Sequence, residues 1–326
     1  MIEYATFLRA LAAILITNSH YTGVYPIDIL ASGGLLGDVL FFALSGFVLV
    51  NIKEKFTSWY KKRILRIYPS IWIITLIYII LGFYTFDNWS VFEYFIYPTY
   101  YHFIASIAIL YIPYYIVVKN DFLKNRTPVI MVGLFFTQLI IYIFFYDKTY
   151  YHIDTVREPM IRFLFLQSML LGLYFRVNHF KYVNQKRLSN WIFLLLLMVA
   201  YLLTKITFSR VQYISNFQIL NQIILFATLF FAFKCFSSIE NKLTKLPSVI
   251  KSPIAFIAQI TLQIYAVQYV IIPMFSDMVF PLNWVIITTL IILSAYLLYL
   301  VSNKFSEYLL RLTSIFMKTR TPKEVV

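Results

Sequence analysis

One cysteine, Cys235, stands in the whole chain of 326 residues, so no internal disulfide can form. Charge is scarce as well: charged residues make up 13% of the chain, and only 14 are acidic. No cluster of histidine, cysteine and carboxylate has the spacing of a metal site, because the four histidines are scattered. No internal repeat, low-complexity tract or polar domain interrupts the sequence. The first apolar segment lacks both a basic leader and a small-residue cleavage motif, so it reads as a first membrane span rather than a signal peptide.

What fills the chain instead is apolar. Hydrophobic residues reach 61%, with a mean hydropathy of +0.76. The excess falls in recurring runs of roughly the ~20 residues that cross a bilayer as a helix. These runs lack the strict alternation of a membrane-barrel strand. The expected fold is therefore all-α, a polytopic membrane protein with about ten spans. They are placed near residues 5–25, 33–50, 67–84, 99–118, 128–146, 158–176, 190–208, 215–234, 254–275 and 283–303. Residues 1–326 read as a single transmembrane domain, with a short basic tail over 304–326.

The net charge of +14 is distributed by side, not spread evenly. With the N-terminus inside, most lysines and arginines fall in inside segments, among them Lys53, Lys119, Lys124, Arg176, Lys186, Lys245 and Lys304. The outside loops hold only Lys148, Arg157, Lys205 and Arg210. This bias predicts both termini in the cytoplasm and accounts for the basic pI without a nucleic-acid partner.

Ionisable groups inside apolar spans are costly and so are functional candidates. Arg9 and His20 share the first span. Eleven residues separate them, about three helical turns, which puts them on one face roughly 16 Å apart. Each has a plainer reading: Arg9 as a snorkelling anchor, His20 as an interfacial histidine. Asp38 lies in the second span at a similar depth to His20 and is a candidate to orient it or raise its basicity, or else faces outer-leaflet water. Small residues around it, including Gly33, Gly34, Gly37, Ala43, Ser45 and Gly46, permit close helix approach. Residues 51–68 read as an amphipathic interfacial helix. Arg63 and Arg66 lie one turn apart on or beside its apolar face, suited to clamp a phosphate, whether of a ligand or of a lipid. Arg162 is placed to hold an anionic acceptor or to pair with Glu158. His102 reads as an interfacial residue, and His152 and His179 as loop residues without an assigned role. The abundant aromatic residues, 27 Tyr and 32 Phe, read mainly as interfacial belts and lipid-facing bulk.

Three segments together resemble the membrane-bound acyltransferase-3 family: FLRALAAILITNSHY, GDVLFFALSGFVLV and RILRIYP. They carry an Arg and a His separated by ten residues (Arg9, His20), an FFxxSGF stretch (Phe41–Phe47) and an RxxR pair before a proline (Arg63, Arg66, Pro69). The match is in register over residues 4–72. It is looser afterwards, through span count and a late QITLQIYAVQY segment similar to the family's SYxIYLxH helix. The resemblance implies a ten-helix integral membrane O-acetyltransferase of the plasma membrane. It implies acetyl-CoA as cytoplasmic donor and a carbohydrate of the cell envelope as acceptor, such as a capsular, exo- or O-antigen polysaccharide or its lipid-linked precursor. It implies catalytic Arg9 and His20, and Arg63, Arg66, Ser45 and Gly46 around CoA. Span directions place Asp38, Arg162 and Gln268 in the outer half, suited to an acceptor. Gln268 stands where the family usually carries a His, and an amide cannot shuttle a proton at neutral pH. The other readings are a transporter or flippase of a lipid-linked glycan, and a relative without activity. Against transport stand the missing repeats and the crowding of charged motifs into the first 70 residues.

Overall fold

A computed structural model describes residues 2–87, 89–156 and 159–319, with side chains up to residue 312. Arg157 and Glu158 lie outside the described residues, as does the end of the tail, 320–326. The described residues are mostly helical, with no strand among them. In chain order the α-helices are α1 (Glu3–Ser19), α2 (Gly34–Val48), α3 (Phe56–Ile80), α4 (His102–Lys119), α5 (Asp121–Asn125), α6 (Thr127–Phe144) and α7 (Ile161–Val177). There follow α8 (His179–Tyr182), α9 (Leu188–Arg210), α10 (Ile219–Ser238), α11 (Glu240–Thr244), α12 (Ser248–Gln259), α13 (Thr261–Phe275) and α14 (Leu282–Thr319).

Seven of the described helical segments are long and apolar enough to cross a membrane, or eight if the broken pair α12 and α13 is one span. That is fewer than the ten runs read from the sequence. Helices α1 and α7, at 17 residues each, are not among the seven. Three boundaries also differ from expectation. Helix α1 stops at Ser19, six residues early, because the chain turns at His20 and reaches a left-handed Gly23. The amphipathic stretch is not separate: residues 51–55 are non-helical, and the basic turns at Lys61–Arg66 continue through Pro69 into the span as one helix, α3. At the other end, helix continues past Lys304 to Thr319.

The chain divides into two compact units. Unit 1 comprises Met1–Ser19, Ser32–Ile52 and Ser106–Gln259. In it α2 lies against both α1 and α7, at distances only glycine permits. A Cβ on Gly46 would stand 2.0 Å from the Met169 carbonyl oxygen, and one on Gly172 1.7 Å from that of Ala43. On the α1 side, a Cβ on Gly37 would meet the Ala12 carbonyl at 2.8 Å. With backbones this close, dispersion and not water exclusion holds the helices together, as it must in a bilayer. Phe42 and Phe165 stack at 4.1 Å in the same seam. The first turn of α1 is satisfied by Glu240, whose carboxylate accepts from the backbone N–H groups of Glu3 (2.9 Å) and Tyr4 (2.8 Å). A carboxylate at a helix N-terminus also opposes the macrodipole.

Unit 2 comprises His20–Ala31, Lys53–Ala105 and Ile260–Val326. Here α14 packs on α13 and α3. A buried chain of side chains ties the three: Gln263 Nε2 donates to Ser70 Oγ (3.0 Å), which donates to Ser302 Oγ (3.0 Å). The segment after His20 is fastened to α14 by Asn283 Nδ2, which donates to the Val24 carbonyl (3.0 Å), and by a Tyr21–Thr288 hydroxyl pair (2.9 Å).

Candidate functional site

Unit 1 holds a cavity of about 800 Å³ at the end of the chain's first helix. Its size lies within the ~300–1,000 Å³ of small-molecule sites. Arg9 reaches it from α1, two turns in from the capped N-terminus, and Arg176 from the last turn of α7. Thr6, Asn51 and Gln259 add neutral polar groups. Among the described residues that line it there is no carboxylate, and two guanidinium groups face one space. Arg176 also lies over the Phe47 ring at 5.4 Å, which fixes its stem while leaving its N–H fork for an anion. Beside it His179 stacks on Tyr4. Burial, then the Arg176 charge, hold the His179 pKa below its ordinary value, with Glu240 pulling the other way.

The remaining sequence-derived candidates of unit 1 are placed as follows. Ser45 and Gly46 do not line the cavity, although the next two residues, Phe47 and Val48, do. Gly46 faces α7, and its carbonyl accepts from the Tyr114 hydroxyl (2.6 Å). Asp38 is buried in α2, 8% exposed. Arg162 stands in the first turn of α7.

In unit 2 His20 occupies the turn after α1, half-buried, with its ring edge-on to Tyr269 of α13 at 5.1 Å. Tyr269 belongs to a dense set of aromatic rings that includes Tyr84, Tyr94, Tyr100, Tyr101 and Tyr265. Gln268, the neighbour of Tyr269, is fully buried, and neither its amide nitrogen nor its oxygen has a hydrogen-bond partner. A buried amide left so costs a few kcal/mol (roughly 1–3) unless water or a ligand engages it. Arg63 is half-buried and Arg66 exposed on the basic first half of α3. Lys62 is drawn off to Glu54 by an ion pair.

Sequence reading missed Arg176 as a site residue, since it looked like one more inside charge. It also missed a buried polar network in unit 1. Asn221 Nδ2 donates to Asp154 Oδ2 (2.6 Å), Thr204 donates to Asn221 Oδ1 (2.7 Å), and Gln167, Gln138 and Gln222 form an amide ladder. His152 is structural: it stacks between Tyr146 and Tyr150, with Nδ1 2.9 Å from the Tyr150 carbonyl. Among the described residues no group of His, Cys, Asp or Glu is placed to hold a metal ion.

Neither a curated protein nor a solved structure matches the chain. A family of acyltransferase domains, acyltransferase-3, matches residues 2–303. That match covers nearly the whole sequence, including Arg9, His20, Arg63, Arg66 and the cavity. The chain belongs to the acyltransferase-3 family and is a membrane acyltransferase.

Proposed function

We propose that the protein moves an acetyl group from cytoplasmic acetyl-CoA to a hydroxyl of a cell-envelope carbohydrate, from a position in the plasma membrane with ten spans and both termini inside. The observation that carries the donor assignment is that Arg9 and Arg176 line one cavity of ligand size. It suits a polyanion, and the diphosphate and 3′-phosphate of CoA supply one. Arg63 and Arg66, one turn apart on α3, serve the same donor in this reading, and Ser45 and Gly46 contribute only the adjacent turn of α2.

In the chemical step His20 accepts the proton of the acceptor hydroxyl as the oxygen attacks the thioester carbonyl. The C–S bond then breaks, and the thiolate of CoA takes up a proton. Transient acetylation of His20 itself is the alternative order of the same bonds. In this reading Asp38 supports the chemistry from α2, and Arg162 and Gln268 serve the acceptor. Basic residues concentrated in alternate loops support the orientation.

The donor assignment is tested with two donors, acetyl-CoA and acetyl-pantetheine, which lacks the nucleotide phosphates. Arg176→Ala is expected to raise KM for acetyl-CoA about tenfold or more, as loss of a charge-assisted contact does. It should leave KM for acetyl-pantetheine near its wild-type value. Equal losses with both donors would place Arg176 away from the phosphates and remove the main support for the assignment.

A further inference from the structure

Four aromatic rings of unit 2 form a continuous row: Trp89 to Tyr100 (5.4 Å), Tyr100 to Tyr269 (6.0 Å) and Tyr269 to His20 (5.1 Å). All four are partly exposed. Behind them stands a second layer that is not: Tyr84, Tyr94 and Tyr101 are 5%, 1% and 0% exposed. The inner layer is locked by hydrogen bonds, Tyr84 to Tyr101 (3.0 Å) and Tyr94 to the Thr85 carbonyl (3.0 Å). Tyr78, against Tyr84, donates to the Val267 carbonyl (2.8 Å). The outer rings are therefore held in place before anything binds, and their side-chain entropy is already spent. An interfacial belt, the ordinary reason for exposed Tyr and Trp in a membrane protein, faces lipid and has no cause to order itself into a row. This row ends on the histidine of the chemical step. Next to its Tyr269 lies Gln268, with both ends of a fully buried amide unengaged.

We propose that Trp89, Tyr100 and Tyr269 form a glycan track leading to His20, so that the acceptor is a chain of several sugars and not a single small sugar. The inference rests on the carbohydrate reading above and adds the acceptor's length. Pyranose rings present an apolar C–H face to aromatic rings. The ring centroids lie 5–6 Å apart and are tilted 66–80° to one another, so a sugar chain that follows the row turns from ring to ring, and the sugar over Tyr269 offers its hydroxyl to the His20 ring.

The test uses the full-length protein in nanodiscs with radiolabelled acetyl-CoA. The acceptors are the host's own surface glycan, chemically de-O-acetylated and fractionated into single sugars and longer chains. Wild type is expected to prefer long chains. Trp89→Ala and Tyr100→Ala are expected to raise KM for long chains about three- to tenfold each, the scale of a stacking contact, so that the preference collapses. Trp89→Phe and Tyr100→Phe, which keep a ring, should retain most of it. Tyr213→Ala, an exposed aromatic of unit 1, should leave the preference intact. Alanine variants that lose both acceptors in proportion, or lose neither, would overturn the track while leaving carbohydrate acylation standing. A wild type that releases CoA yet labels no fraction would overturn the carbohydrate reading and the track with it.

Discussion

At the scale of single residues the two classes of glycine make opposite predictions. A methyl group on Gly172 has no room, because its neighbour at 1.7 Å is the Ala43 backbone carbonyl of another helix. Gly172→Ala must push α2 and α7 apart, and the expected cost is about 1–3 kcal/mol or more, read as a fall in the melting temperature of the detergent-solubilised protein. On Gly133 the same methyl meets nothing within 4 Å. Gly133→Ala should be neutral or stabilising by up to about 1 kcal/mol, the helix-propensity gain. Equal effects at both sites would show that the α2–α7 seam is looser than described. The small residues of α2 were legible from the sequence as a close-approach face. Gly172 was not, because one glycine in an apolar run carries no sign of what lies opposite. Arg176 was hidden for a similar reason: a basic residue at an inside helix end satisfies the orientation rule and asks for no further role.

At the scale of elements, hydrophobic runs located every long helix, but their ends followed rules that composition does not carry. Helix α1 ends at Ser19 because the following segment is bonded to α14 through Val24 and Tyr21, a contact between residues more than 250 positions apart. Residues 51–68 read as amphipathic, and Lys61, Lys62 and Arg66 are exposed on the first half of α3. The pattern could not show that the same helix runs on through Pro69 to Ile80. The N-terminal motifs did give the family, and they singled out Arg9 and His20 as candidates. They gave no hint of the row from His20 to Trp89, because its members come from the turn after α1, the loop before α4 and α13. Such a row is a product of tertiary packing, and in one sequence it reads as scattered tyrosines.

At the scale of the whole molecule the charge bias makes a prediction about sidedness. In a Cys235→Ser background, cysteine replacing Lys124 or Lys186 should react with a membrane-impermeant thiol reagent only from the cytoplasmic side. Lys148→Cys and Arg210→Cys should react only from the outer side. Reaction of both sets from one side would contradict the ten-span topology with both termini inside, and with it the delivery of acetyl from cytoplasm to envelope.

The central claim, acetyl transfer to an envelope glycan through His20, is tested most directly by proton NMR of that glycan. It would be taken from cells with the intact gene, a deletion, and His20→Ala. The account predicts O-acetyl signals only in the first, with the His20→Ala protein still present in the membrane. Unchanged O-acetyl signals in all three would contradict it.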